Sequence, residues 1–106
     1  MILKNPFKKL PENYFKQAKH LSYELVGTVQ NNGTTYEVFR SEQTNFKFGD
    51  EELPTIALRV KTANGDKNNY FLISRKKDAI KFRFGKNMPE YLWRALLEKF
   101  MVLPSV

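Results

Sequence analysis

Residues 79–86 read AIKFRFGK: Ile80, Phe82 and Phe84 alternate with Lys81 and Arg83, and Lys86 follows Gly85. Alternation at period two sends successive side chains of a strand to opposite faces. One face of this segment is then wholly apolar and the other wholly positive, which predicts a strand with its aromatics on the core and its cations outside. The neighbouring segments fit the same frame. Residues 55–62, TIALRVKT, place Ile56, Leu58 and Val60 on one side and Arg59 and Lys61 on the other. ANGDKN at 63–68 is a turn, and NYFLISR at 69–75 is a further strand that joins 79–86 through the polar turn Lys76, Lys77, Asp78. Short connections of this kind predict three consecutive strands in an antiparallel meander.

Upstream, residues 23–30 (YELVGTVQ) and 34–41 (TTYEVFRS) alternate around Asn31-Asn32-Gly33. Asn and Gly tolerate the positive φ of a tight hairpin turn, so these two runs pair. Residues 42–54 break the pattern. Gly49, Pro54 and the acidic run Asp50, Glu51, Glu52 predict an irregular connection, with Phe46 or Phe48 tucked onto the core.

Helices are expected at both ends. In residues 10–21 Pro11 suits a first turn, Glu12 complements the helix dipole, and Tyr14 or Phe15, Ala18 and Leu21 recur at helical spacing. Near the other end Asn87, Pro89 and Glu90 have the order of a capping box, and Glu90, Arg94 and Glu98 form one polar stripe. The rest of that helix is apolar, wider than the roughly 100° that a single core contact needs. Tyr91, Trp93, Leu97, Phe100 and Met101 therefore call for a second neighbour: the first helix, the same helix of a second subunit, or a protein partner. The expected architecture is a single α+β domain over 1–106. It has an N-terminal helix, a twisted five-stranded antiparallel sheet (two hairpins plus a meander strand), and a C-terminal helix packed on the sheet, with both helices against one face.

Composition narrows the chemistry. The chain has 106 residues, no cysteine and a single histidine, His20. Disulfides, thiolate metal sites and cysteine nucleophiles are excluded, and one histidine beside a predicted helix end is weak material for acid–base catalysis. No nucleophile elbow, phosphate-cradling glycine loop or dinucleotide fingerprint is present. Asp50, Glu51 and Glu52 lack the alternate spacing of a calcium loop and read as a solvated acidic turn, a counterweight to the basic strands or a contact for a basic partner. No enzyme activity, cofactor or metal is expected. With no apolar run approaching the roughly 18 residues of a membrane span and no signal-like opening, a soluble cytoplasmic protein is expected.

The net charge of +7 is unevenly placed. Acids and bases balance over residues 1–53, and the surplus lies in 54–106, densest between Arg75 and Lys86. A cationic cluster of this density favours a polyanion. Arg59, Lys61, Arg75, Lys76, Lys77, Lys81, Arg83 and Lys86 predict a phosphate-binding track on the outer sheet face, with Phe71 or Tyr70 exposed to stack a base. The expected partner is single-stranded DNA or RNA, bound with little sequence specificity. Two alternatives stand beside this one: a sheet covered on both faces, which would bury both aromatic sets, and a protein-binding inhibitor or adaptor acting through the apolar last helix.

Overall fold

The computed structural model describes residues 7–65 and 67–105, with Glu12 described by its backbone only. Asp66 of the predicted turn, the side chain of Glu12 and residues 1–6 of the opening segment lie outside the described residues. Among the described residues ten elements follow one another: β1 (Phe7–Leu10), a 3₁₀ turn (Glu12–Phe15) running into α1 (Lys16–Lys19), β2 (Tyr23–Asn31), β3 (Thr34–Ser41), β4 (Thr44–Phe48), β5 (Glu51–Thr62), β6 (Asn68–Lys76), β7 (Ala79–Gly85) and α2 (Glu90–Phe100).

The strands build one seven-stranded sheet in the order β1-β7-β6-β5-β3-β2, with β4 also bonded to β5. The sheet is mixed, because β1 runs parallel to β7 with Phe7 opposite Phe82, while every other pairing is antiparallel. The expected five-stranded antiparallel sheet is thus corrected by two strands. The first is β1, in a segment whose FKKL sequence has no period-two alternation. The second is β4, in the segment expected to be irregular. Its NFKF run does alternate, and Gly49, at φ +66, leads the two-residue loop that returns the chain as β5. The acids beyond that loop are tolerated because Glu51 pairs with Lys76 and Glu52 is exposed. Pro54 falls just outside the stretch of β5 that β6 pairs.

β3 and β4 lie in succession along the same side of β5. Arg40 is opposite Leu58 and Thr44 opposite Thr55, so four steps on one strand meet three on the other. At this bulge the Ser41 hydroxyl accepts the Ala57 backbone N–H at 2.9 Å, replacing a ladder acceptor at a residue that is fully buried. The predicted β2–β3 hairpin forms around Asn32 and Gly33, both at positive φ (50° and 80°), with Asn31 opposite Thr34.

Both sheet faces are covered, as one of the alternatives has it, and the two helical segments lie on opposite faces rather than on one. On the front, α2 lays Leu92 and Leu96 onto Val38, Leu58, Val60, Phe71, Ile73, Phe82 and Phe84. On the back, Phe15 and Ala18 from the N-terminal turns and Phe46 from β4 pack on Ala57, Tyr70 and Leu72. The N-terminal helix is only the 3₁₀ turn and one α turn, and of its two candidate apolar residues Phe15 is buried while Tyr14 is exposed. The capping box does not form either. Pro89 holds the N-cap position of α2 with no side-chain cap bond, and Asn87 is exposed.

Candidate functional site

The parity reading of the last strand holds: Phe82 and Phe84 face the front core and Arg83 faces the back. The back, however, is not an open cationic surface. Arg83 is 6% exposed, and its guanidinium lies 3.8 Å from the ring centre of Phe48, carried over it by the β4–β5 hairpin. It donates from Nη1 to Ser74 Oγ at 3.4 Å. Ser74 Oγ is 2.8 Å from Thr55 Oγ1, which donates to the Leu53 carbonyl at 2.9 Å. This chain of buried donors and acceptors satisfies polar groups that burial would otherwise penalise. Burial lowers the Arg83 pKa, and Glu51 opposes that shift.

Glu51 also pairs with Lys76. Its carboxyl is held below its ordinary value first by a hydrogen bond from Lys76, and the charges of Lys76, Lys81 and Arg83 act in the same direction. An acid of the predicted solvated turn thus sits among the cations of the predicted track. Arg75 lies on the front instead, where its Nε donates to the Pro104 carbonyl and ties down the segment after α2. Lys61 pairs with Glu37 at 3.5 Å. Lys77 is exposed in the tight β6–β7 turn, and Lys86 is exposed beyond β7. Phe71 is fully buried between Phe82 and Phe84, with ring centres 5.8 Å from each. Tyr70, at 6% exposure, packs on Phe15 and Tyr23. Neither ring lies open on the sheet face.

Of the predicted residues, the fold places Arg59 and Lys86 in concave surface at one end of the sheet. Arg59 is opposite Phe39 on one side and Tyr70 on the other. Its guanidinium lies 4.6 Å from the ring centre of Tyr23 and 4.7 Å from that of Phe39. Its Nε is buried and meets no hydrogen-bond partner. Arg59 lines a cavity of about 360 Å³ together with Lys19, Lys67, Asn68 and Tyr70. An adjoining cleft of about 190 Å³ shares Lys67, Asn68 and Tyr70 and adds Phe15, Lys86, Asn69 and Asn87. Burial raises the pKa of Tyr70, with Arg59 and then Asn68 opposing it; Tyr23 is also raised by burial, with Tyr70 adding and Arg59 opposing. Both phenols thus stay neutral beside the cation.

Compared with protein-family models, curated proteins and solved structures, the chain matches none. The reading of the site therefore rests on its own geometry.

Lys19 and Lys67 carry no distinguishing signal in the sequence, since one sits off the apolar positions of the expected first helix and the other in the expected turn at 63–68. Lys19 ends α1 and comes to Arg59 through the folding of the N-terminal turns onto the back of the sheet, while Lys67 comes through the β5–β6 connection just before β6. Two other clefts, each about 560 Å³, are less suited to a polyanion. One, at the β3–β4 junction, mixes Glu24 and Glu42 with Arg40. The other runs beside Phe7, Trp93 and Leu97, with Arg94 and Glu98 at its edge. His20 is exposed, and among the described residues no group of three or more His, Asp or Glu side chains could hold a metal ion.

The wide apolar surface of α2 has its second neighbour within the chain. Trp93 packs on Phe7 of β1 at 4.9 Å and on Phe84 at 5.4 Å, and Leu97 joins the same cluster. On the other flank the Tyr91 and Tyr36 hydroxyls are 2.6 Å apart, and Phe100 lies against Gly27, where a Cβ would fall 2.8 Å from the ring. Of the apolar residues expected to need a second neighbour, Tyr91 and Met101 stay 40% and 47% exposed. Among the described residues no helix is long and apolar enough to cross a membrane.

Proposed function

We propose that this protein binds single-stranded nucleic acid without catalysing a reaction, in the cytoplasm, along the concave end of the sheet rather than across its face. The observation that carries this reading is the pair of adjoining cavities lined by Lys19, Arg59, Lys67 and Lys86, with asparagines at 68, 69 and 87 between them. Lysine and arginine attract backbone phosphates, and asparagine amides offer both a donor and an acceptor to an exposed base edge. A narrow concavity favours one strand over a duplex, whose grooves are read by a protruding helix or ribbon. In this reading Arg83 is spent on interior packing, Glu51 on the pair with Lys76 and Arg75 on the segment after α2, and none of them contacts the ligand.

Fluorescence anisotropy with labelled single-stranded and duplex oligonucleotides tests the reading. Wild type is expected to prefer the single strand, with a log–log salt slope of roughly 2 to 3 if the four cations each displace about 0.7 counterion. Lys67→Glu/Lys86→Glu should weaken binding at least tenfold. Lys77→Glu/Lys99→Glu makes the same change of net charge elsewhere on the surface and should cost far less. Equal losses in the two double variants, or no salt dependence, would show that net charge alone or no charge is at work, and the reading would fall.

A further inference from the structure

Arg59 is held in a way that leaves little choice of ligand geometry. Rings of Tyr23 and Phe39 lie over its guanidinium, so ligand hydrogen bonds are confined to the in-plane edge of the fork. That edge geometry matches two oxygens of a phosphate. The Nε of the same group is buried with no acceptor among the described residues. Lys19 and Lys67 line the same cavity, so three positive charges line a space of about 360 Å³, with no acid among its described lining residues. An internal phosphodiester brings a single negative charge, whereas a phosphomonoester brings about −1.5 to −2 at neutral pH. Toward the end of the sheet the next cross-strand row is the Lys61–Glu37 ion pair, which is neutral as a unit. The excess of cations stops there, and on the other side it continues into the cleft that holds Lys86.

Resting on the nucleic-acid reading above, we infer that the Lys19–Arg59–Lys67 cavity takes the terminal phosphomonoester of a strand whose remaining nucleotides leave through the Lys86 cleft. Arg59 grips the terminal phosphate in plane, and Lys19 and Lys67 neutralise its second charge. Internal phosphates, with one charge each, gain less from the same three cations.

The test is anisotropy with one oligonucleotide sequence in four forms: 5′-phosphate, 3′-phosphate, both ends hydroxyl, and the matching mononucleotide as an unlabelled competitor. One phosphorylated form is expected to bind at least tenfold tighter than the hydroxyl form. That margin should collapse in Arg59→Lys, which keeps the charge and loses the fork, and in the exposed-site variant Lys67→Ala, both checked for native folding by circular dichroism. Equal affinity for all three oligonucleotides would overturn the terminal-phosphate inference and leave the cationic track standing. A mononucleotide competing as tightly as the phosphorylated strand would uphold the phosphomonoester cavity and sink the polynucleotide reading. Binding of none of the four would sink both.

Discussion

Replacing Arg83 separates a buried cation that is part of the interior packing from one that serves a ligand. Arg83 is 6% exposed, stacks on Phe48 and donates one long hydrogen bond to Ser74. A desolvated cation–π contact contributes about 2 kcal/mol. The 3.4 Å bond adds about 0.5 kcal/mol, because Ser74 keeps Thr55 as a partner. Against these stands the cost of burying a guanidinium, several kcal/mol before compensation. Arg83→Met fills most of the volume and removes both the gains and that cost, so it should stay within about 1 kcal/mol of wild type. Arg83→Ala also strips the stem from Phe48 and leaves a cavity, which costs about 3 kcal/mol. Urea denaturation followed by circular dichroism measures both, and for a domain of this size the alanine variant should melt roughly 10 to 20 °C lower. Nucleic-acid affinity of Arg83→Met should match wild type. A methionine variant as unstable as the alanine one would mean that the charge itself is required, and an alanine variant without effect would mean that Arg83 is not packed on Phe48; either result refutes the reasoning.

Tyr23→Phe keeps the ring beside Arg59 and removes a 2.6 Å hydrogen bond to the Ala18 carbonyl, so it should cost about 1 kcal/mol at neutral pH in the same denaturation assay. Burial raises the Tyr23 pKa above the ordinary 10.0, so its contribution is complete below pH 10 and is lost as pH rises toward the folded value. The gap between wild type and Tyr23→Phe should therefore narrow in denaturation curves taken above pH 10, and a constant gap would contradict the burial of this phenol. Phe7→Ala should destabilise the protein by about 2–3 kcal/mol, since a half-buried ring is lost from between Phe82 and Trp93. Trp93 is the sole tryptophan, and its emission should shift to the red in that variant; unchanged emission would mean that β1 does not cover α2.

What the chain declares locally it declares well. The Asn32-Gly33 turn demanded positive φ, and the alternation of Ile80, Phe82 and Phe84 set which side of β7 meets α2. Those features are decided within a few residues. β1 was illegible because four residues with no alternation acquire strand geometry only from β7, far along the chain. β4 was hidden by Asp50–Glu52, which argue against a ladder until Lys76 arrives from another strand to pair with Glu51. The same distinction governs the candidate site. Arg59 and Lys86 are marked by the basic half of the sequence, whereas Phe71 or Tyr70 is expected to stack a base and the front and back cores claim both rings. Lys19 and Lys67 carry no signal of their own, because their significance is a matter of which turns come to rest beside Arg59.

The parallel ladder between β1 and β7 joins Phe7 to Phe82, about 75 residues apart in sequence. During synthesis β1 must wait for β7 to emerge before its partner exists, and α2, whose Trp93 leans on Phe7, emerges later still. Late closure of so long a loop is entropically slow, and until then the outer edge of β7 remains open to pairing with other chains. Completion of this sheet thus waits on β7, and a chain halted after β6 would hold β1 without its only strand partner among the described residues.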